Sequence, residues 1–275
     1  MSEKPGTIFI TGASSGLGRA AAHLFQARGW QVVATMRDLG RAGDLAKVER
    51  IRLLQLDVTD PDQLRATTAQ ILSQGDVDVV FNNAGYGLSG PMEALTEAQI
   101  RRQFDTNVFG VMRVTQAFIP AFKRRGAGTF VTTTSIAGLM GFPLQSVYNA
   151  TKWALEGWSE SLSHELAPYG IRVRTVAPGV IDTDFGTRSL DRVATPESRA
   201  LNRAFYDFIT EDPRQHSTAA MVAETVFHAA TAQGDQLRHL SGADAEMLWQ
   251  KRKRLGSEEF RIDLYSEMSS RMRGG

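Results

Sequence analysis

The 275-residue sequence contains no cysteine. Disulfides, thiolate nucleophiles and cysteine-ligated zinc or iron–sulfur centres are therefore excluded. The sequence also lacks an excess of charge of either sign, because 31 Lys and Arg residues are balanced by 30 Asp and Glu residues and the net charge is +1. So small a charge creates no long-range attraction to nucleic acid or to an anionic membrane. We therefore expect neither of these as a partner.

Long apolar runs are missing too. No stretch of about 18 consecutive apolar residues occurs, so no membrane span is expected. Residues 1–6 are polar and have neither the apolar core nor the cleavage pattern of a signal peptide, which makes a cytoplasmic location the expectation. No metal site is expected, because metal-ligand spacing is absent among the histidines, which are His23, His164, His216, His228 and His239.

The first two-thirds of the chain alternates strand-like and helix-like segments. Strands are predicted at 7–10, 31–35, 53–56, 77–81, 128–134 and 171–177, and helices at 16–28, 61–73, 97–124 and 146–167. This alternation predicts an α/β fold, a doubly wound parallel sheet of the Rossmann type with helices on both faces in three αβα layers. Ligands of such sheets bind beyond the carboxyl ends of the strands.

The alternation breaks near residue 184. Helices are predicted at 197–209 and 218–232, a short strand near 239–242, and a charged helical tail from 246. No linker or internal repeat separates these parts, so we expect a single domain over 1–275. Within it, 1–184 forms the cofactor-binding and catalytic core, 185–215 a substrate lid, and 216–275 a C-terminal extension.

A glycine-rich turn, TGASSGLG at 11–18, lies between the first predicted strand and the first helix. Glycine tolerates positive φ and lets the backbone approach a ligand closely, and a helix N-terminus offers free N–H groups and partial positive charge. This combination predicts a pyrophosphate site, although tight packing alone would also require glycines here. The cofactor-binding residues predicted in this turn are Gly12, Ser14, Ser15, Gly16, Leu17 and Gly18.

The end of the second strand reads Thr35-Met36-Arg37-Asp38. An acid there binds the ribose 2′-hydroxyl of NAD, whereas an arginine accommodates the 2′-phosphate of NADP. A count of about 20 residues from the glycine turn points to Asp38 as the ribose-binding acid, which would favour NAD. A strand that stops at Thr35 or Met36 instead places Arg37 first in the loop, beside the ribose. A guanidinium binds phosphate through two parallel hydrogen bonds. We therefore favour NADP(H), with Arg37 and Asp38 both at the ribose; a solvated surface pair is the alternative.

Tyr148 and Lys152 lie four residues apart on a predicted helix and share one face. A tyrosine titrates near ~10, and an ammonium within ~4–6 Å lowers that pKa by roughly 1–3, so Tyr148 is predicted to exchange a proton near neutral pH. Ser135, just after the fifth strand, can hydrogen-bond a substrate oxygen. Asn107, in mid-helix where asparagine is unfavourable, indicates a local distortion or a bound water, and a buried hydrogen-bonded asparagine is the alternative. Taken singly, each of these residues also fits a purely structural role.

Taken together, these residues resemble the short-chain dehydrogenase/reductase family in its compact single-domain branch, over roughly 5–185. The motifs that carry the resemblance are the glycine turn at 11–18, Asp57-Val58 after the third strand, Asn82-Asn83-Ala84-Gly85 after the fourth, the residues Asn107, Ser135, Tyr148 and Lys152 in the family's order, and Pro178-Gly179 followed by Thr183. Arg37 behind the non-acidic Met36 is similar to the NADP-preferring subgroup.

The resemblance implies a role for each catalytic candidate. Tyr148 would be the general acid in reduction and the base in oxidation, Lys152 would bind the nicotinamide ribose and lower the tyrosine pKa, Ser135 would polarise the carbonyl, and Asn107 would hold a water of a proton relay. Further cofactor contacts are implied at Asp57, Val58, Asn83, Ala84, Gly85, Tyr148, Lys152, Pro178, Gly179, Val180, Ile181 and Thr183. The family also implies a homodimer or homotetramer built from the helices at 97–124 and 146–167.

The predicted pocket wall is largely apolar and includes Tyr86, Leu139, Phe142 and the segment from Phe185 to Phe208. Such a wall favours an apolar ketone or secondary alcohol as the small-molecule substrate, although packing of a lid would also explain it. The sequence thus predicts an oxidoreductase that transfers a hydride between NADP(H) and a carbonyl or alcohol. The alternatives are a cofactor-sensing regulatory protein on the same fold and a lyase that uses the tyrosine without nicotinamide.

Overall fold

The structure, a computed structural model, describes residues 5–182 and 189–274. Its strands are β1 Thr7–Ile10, β2 Gln31–Met36, β3 Ile51–Gln55, β4 Val79–Asn82, β5 Gly87–Ser89, β6 Gly128–Thr133, β7 Ile171–Pro178, β8 Ile181–Asp182, β9 Leu190–Arg192, β10 Ser217–Thr218 and β11 Arg238–Ser241. Seven of them form one parallel sheet in the order β11-β7-β6-β4-β1-β2-β3. The strand order therefore reverses beside β1, where β4 follows on the other side.

The helices are α1 Gly16–Ala27, α2 Pro61–Leu72, α3 Glu97–Phe104, α4 Gly110–Arg125, α5 Ser146–Leu166, α6 Arg199–Thr210, α7 Ala219–Thr231, α8 Ala243–Leu255 and α9 Ser257–Gly274. The single helix predicted at 97–124 is divided, because Asp105–Phe109 forms a π-helix between α3 and α4. Among the helices of the described residues, none has both the length and the apolar character needed to cross a bilayer.

The core lies on both faces of the sheet because successive residues of a strand point to opposite faces. In β1, Ile8 and Ile10 pack in a cluster with residues of α1 and α7, whereas Phe9 packs in a second cluster with residues of α2, α4 and α5. The predicted three-layer αβα arrangement is confirmed, and the sheet fixes the position of every loop that leaves its carboxyl edge.

A third apolar cluster lies at the end of the sheet and includes Ala177 of β7. It joins α6 to α8 and α9 and to the segment that follows β6, through buried residues such as Leu139, Met140, Phe205 and Phe260. The predicted helices in the last third are present, and the tail forms two helices, α8 and α9, that continue from β11.

Candidate active site

One cleft of about 1440 Å³ runs along the carboxyl ends of the strands. One end is bounded by the glycine turn and the loop after β2, and the other by α6 and the start of α8. The strand order reverses at this edge, which is where an open α/β sheet binds ligands.

The glycine turn folds tightly against the residue that follows β4. Gly12 has φ +68°, and a Cβ there would lie 2.8 Å from Ala84 Cα. A Cβ on Gly18 would lie 2.3 Å from the Gly12 carbonyl oxygen, so Gly18 serves the packing of the turn and does not line the cleft. Gly12 and the residues from 14 to 17 do line it. Ser15 directly precedes α1, and its side chain caps none of the free N–H groups.

The loop after β2 places one predicted residue differently. Met36 is the last residue of β2, and Arg37 and Arg41 both line the cleft. Asp38 does not: its Oδ1 accepts a hydrogen bond from the Gly40 N–H at 2.9 Å and caps the 3-10 turn Leu39–Arg41. Asp38 thus caps this turn, and its contact with the cofactor stays a prediction. The same turn brings Arg41, which residue type and spacing did not identify, to the cleft.

The segments after β3 and β4 lie where the motifs predict. Asp57 and Val58 line the cleft, as do Asn83, Ala84 and Gly85. The Asp57 carboxylate accepts from the Thr59 N–H at 2.9 Å, which fixes the turn after β3. Asn83 Nδ2 donates to the carbonyl oxygens of Thr11 and Gly12 at 3.1 and 3.2 Å, so the residue after β4 holds the glycine turn in place.

Ser135, Tyr148 and Lys152 meet in the middle of the cleft. The hydroxyls of Tyr148 and Ser135 share a hydrogen bond, and Lys152 Nζ lies 5.6 Å from the centroid of the Tyr148 ring. Lys152 Nζ also donates to the Thr133 carbonyl oxygen at 2.9 Å. The long helix α5 and the end of β6 thus bring together the three residues that the spacing singled out.

The pKa of Tyr148 in the chain itself differs from the prediction. Burial raises the pKa of Tyr148 to about 12, and the hydrogen bond from Ser135 opposes that rise. Burial also lowers the pKa of Lys152 to about 8, against the raising effect of Glu156. In the chain alone, loss of hydration therefore dominates the pKa of Tyr148, and the Ser135 hydrogen bond is the effect that opposes it. The lowering by Lys152 stays a prediction.

Asn107 lies in the π-helix, where the predicted distortion is found. Its Oδ1 accepts from the Tyr86 N–H at 3.0 Å, and its Nδ2 donates to the Tyr86 carbonyl oxygen at 2.8 Å and to Thr151 Oγ1 at 3.3 Å. Asn107 is buried and does not line the cleft. The side chain thus ties the loop after β4 to the residue that precedes Lys152.

The segment after β7 completes the cleft on one side. Pro178, Gly179, Val180 and Ile181 line it, and the predicted contact at Thr183 lies outside the described residues. The Val180 N–H donates to Asp244 Oδ2 at 2.6 Å. Nothing in the sequence pattern identified Asp244, since it lies 64 positions further along the chain.

The end of the cleft near α6 is partly apolar. Tyr86, Phe142, Phe205 and Phe208 line it, and so do charged side chains such as Arg102. Arg102 Nε donates to the Tyr86 hydroxyl at 3.2 Å. Leu139, predicted to belong to the wall, is buried in the third apolar cluster instead, and Phe185 lies outside the described residues.

Comparison with known proteins agrees with this geometry. A family model described as short chain dehydrogenase matches residues 6–193. Retinol dehydrogenase 8 of Bos taurus is 41% identical over 207 residues, which cover 72% of this chain and 66% of the relative, slightly less than two-thirds of its length. The human 17-beta-hydroxysteroid dehydrogenase type 1 is 36% identical over 256 residues, which cover 85% of this chain and 76% of the relative.

Solved structures resemble nearly the whole chain. A short-chain dehydrogenase from Streptomyces avermitilis has a TM-score of 0.80 at 36% identity and covers 93% of this chain and 96% of its own. A short chain dehydrogenase from Burkholderia cenocepacia J2315 in complex with NADP has a TM-score of 0.76 at 25% identity, with coverage of 98% and 99%. The fold, the arrangement in the cleft and these matches agree: the chain belongs to the short-chain dehydrogenase/reductase family.

Proposed function

We propose that the chain transfers a hydride between NADP(H) and a carbonyl or secondary alcohol, with Tyr148 as the proton-transfer residue. The observation that carries this proposal is the hydrogen-bonded pair of Tyr148 and Ser135, one helical turn from Lys152, in the same cleft as the glycine turn. The close approach at Gly12 and the uncapped start of α1 fit a dinucleotide pyrophosphate.

The bound nicotinamide supplies or accepts the hydride. Because burial raises the pKa of Tyr148 to about 12, the phenol stays protonated at neutral pH and can donate its proton to a carbonyl oxygen. Ser135 holds that oxygen beside the phenol. Lys152, whose pKa is about 8, remains largely charged at neutral pH and favours the phenolate formed when the proton leaves.

Replacement of Tyr148 by phenylalanine tests this role. We expect Tyr148→Phe to abolish turnover while NADPH binding, measured by fluorescence titration, stays close to that of the wild type. Tyr169→Phe, outside the cleft, is the control and should keep full activity. Full activity in Tyr148→Phe would disprove the proposal, and NADPH binding without turnover of any carbonyl by the wild type would instead indicate a cofactor-sensing protein.

We further propose that NADP(H) is preferred to NAD(H). The proposal rests on Arg37 and Arg41 in the cleft beside the end of β2, on the absence of an acid at Met36, and on the NADP-bound relative. Arg37→Ala should raise KM for NADPH by roughly 10–100-fold, since a charged hydrogen bond to phosphate is lost, and should leave KM for NADH nearly unchanged. Arg65→Ala, exposed on α2, is the control. A wild-type preference for NADH that Arg37→Ala leaves intact would overturn this assignment.

We propose an apolar ketone or secondary alcohol as the substrate. The support is the aromatic lining by Tyr86, Phe142, Phe205 and Phe208, and relatives whose names refer to retinol and hydroxysteroids. A panel of carbonyls and alcohols of graded polarity should show kcat/KM rising with apolar size. Faster turnover of small sugars than of apolar ketones would contradict the proposal.

We also propose that the chain forms a homodimer or homotetramer through the helices from α3 to α5. Phe109 and Trp153, on the π-helix and on α5, leave about half of their surfaces exposed in the single chain, which such an interface would bury. Light scattering that gives the mass of a monomer at all concentrations would rule this out.

A further inference from the structure

Asp244 belongs to α8, beyond the residues that match the family model. Its carboxylate lies against the segment after β7 and accepts the Val180 N–H at 2.6 Å. Both residues line the cleft. The side chain therefore fixes the direction of one peptide N–H within the segment 178–181. The family resemblance implies that Pro178-Gly179 and the residues after them meet the nicotinamide end of the cofactor.

Two glycines make room for this carboxylate. A Cβ on Gly179 would lie 2.2 Å from both of its oxygens, and a Cβ on Gly242 would lie 2.6 Å from Oδ1. Gly242 also has φ +110°, a backbone conformation that other residues rarely adopt. Any other residue at either position would displace the Asp244 side chain, so the fit around the carboxylate is close on two sides.

The segment is also held by backbone hydrogen bonds that do not depend on Asp244. The Gly179 N–H donates to the Ser241 carbonyl oxygen at 3.0 Å, and the Ser217 N–H donates to the Val180 carbonyl oxygen at 3.0 Å. Strand β8 then pairs with β10. If the carboxylate is removed, these bonds therefore still keep the course of the segment. The peptide unit between Gly179 and Val180, whose N–H has lost its acceptor, becomes free to rotate.

The electrostatic surroundings of Asp244 are mixed. Burial raises its pKa, while the Val180 and Ala245 N–H groups and the His216 ring lower it. The position in the first turn of α8 also favours a negative charge. Burial is the largest of these effects, so the pKa of Asp244 lies above its ordinary value. The hydrogen bond from the Val180 N–H to Oδ2 is set by geometry and does not require that the carboxyl be charged.

We propose that Asp244 is a positioning residue that orients the Val180 peptide and thereby the segment 178–181 for the nicotinamide half of the cofactor. This inference rests on the proposed function. The proposal assigns Asp244 to the nicotinamide half of the cofactor only. The glycine turn and Arg37, proposed to bind the pyrophosphate and the 2′-phosphate, lie elsewhere in the cleft and do not contact Asp244.

Calorimetric titration with two ligands measures the contribution of each half of the cofactor to binding. NADPH carries both, whereas adenosine 2′,5′-bisphosphate carries the 2′-phosphate and adenosine but no nicotinamide. Asp244→Ala should weaken NADPH binding on the order of 10-fold, since the Val180 N–H loses its acceptor, and leave the affinity for adenosine 2′,5′-bisphosphate unchanged. Asp244→Asn should restore most of the NADPH affinity, because the amide oxygen still accepts from Val180.

Asp263→Ala on α9 is the matched control, since it removes an aspartate that pairs with Lys251 away from the cleft; it should change neither affinity. Equal weakening of both ligands by Asp244→Ala would show a general structural role and overturn the inference, and so would unchanged binding of NADPH. If the wild type binds adenosine 2′,5′-bisphosphate but turns over no carbonyl, the proposed activity fails while the positioning role is still decided by the ratio of the two affinities. If the wild type binds neither ligand, both proposals fail.

Discussion

At the scale of single residues, the charge of Lys152 depends on a buried acid one turn further along α5. Glu156 is 4% exposed. Its carboxylate accepts from Thr134 Oγ1 at 2.6 Å and from Arg238 Nε at 2.7 Å. Burial pulls the pKa of Lys152 down to about 8, and Glu156 acts against that. The acid therefore keeps Lys152 protonated at a pH where burial alone would discharge it.

Glu156→Gln should move the alkaline limit of activity to lower pH. Removal of the negative charge lets the pKa of Lys152 fall below about 8, so the ammonium is lost as pH rises through a lower value, and kcat/KM declines about one pH unit earlier. NMR of protein labelled at the lysine Cε reports the same change directly. Glu160→Gln, on the next turn and 62% exposed, is the matched control; identical pH profiles for Glu156→Gln and wild type would refute the dependence.

At the scale of elements, the turn into α1 is held by contacts that a single methyl group would break. A Cβ on Gly18 would lie 2.3 Å from the Gly12 carbonyl oxygen and 2.6 Å from Asn83 Nδ2. Asn83 also ties the turn to β4 through its bonds to Thr11 and Gly12. The glycine turn, the start of α1 and the residue after β4 therefore form one unit, and they can shift only together.

Gly18→Ala should destabilise the fold by about 1–3 kcal/mol, because the added methyl group overpacks the turn. NADPH affinity should fall with it, since the N–H groups of the turn are displaced from the pyrophosphate site. Gly234→Ala has no atom within 4 Å of the added Cβ and should leave stability and binding as they are. Thermal unfolding with and without NADPH measures both effects, and equal melting temperatures for the two variants would count against the packing argument.

The long elements could be predicted from sequence because apolar residues recur with a clear period and turn residues mark the ends. Helix α5 spans Ser146–Leu166 where 146–167 was predicted, and α6 spans Arg199–Thr210 where 197–209 was predicted. The four strands of two or three residues, β5, β8, β9 and β10, were not predicted. Strands of two or three residues, such as β5 and β9, carry no measurable period, and their pairing across about a hundred positions depends on the folded chain.

The candidate site was predictable where residue type and spacing carry the chemistry, as for Ser135, Tyr148 and Lys152. It was not predictable where loop geometry decides. Asp38 follows β2 in sequence, but the 3-10 turn makes it a cap and returns Arg41 to the cleft. Asp244 contacts Val180 only because β11 lies next to β7 at the edge of the sheet.

At the scale of the whole molecule, the C-terminal helix α9 packs against α6, which bounds one end of the cleft. Phe260 and Leu264 of α9 are buried in the third apolar cluster with Phe205 of α6, and Phe205 also lines the cleft. Arg271 of α9 pairs with Glu211, just after α6, at 2.7 Å. The end of the cleft at α6 therefore rests on residues far from it in sequence, whereas the end at the glycine turn rests on the sheet.

Phe260→Ala tests whether the α6 end of the cleft depends on its packing against α9. Phe260 is 2% exposed, so its truncation leaves a cavity in the third cluster and costs about 3–5 kcal/mol. Since α6 packs on that cluster, KM for an apolar substrate should rise, while KM for NADPH stays near the wild-type value. Tyr265→Ala removes another aromatic side chain from the same helix, but one that is 69% exposed, and should alter neither stability nor KM. If Phe260→Ala raised both KM values alike, α9 would support the whole fold and not the α6 end of the cleft alone, and the division between the two ends of the cleft would not hold.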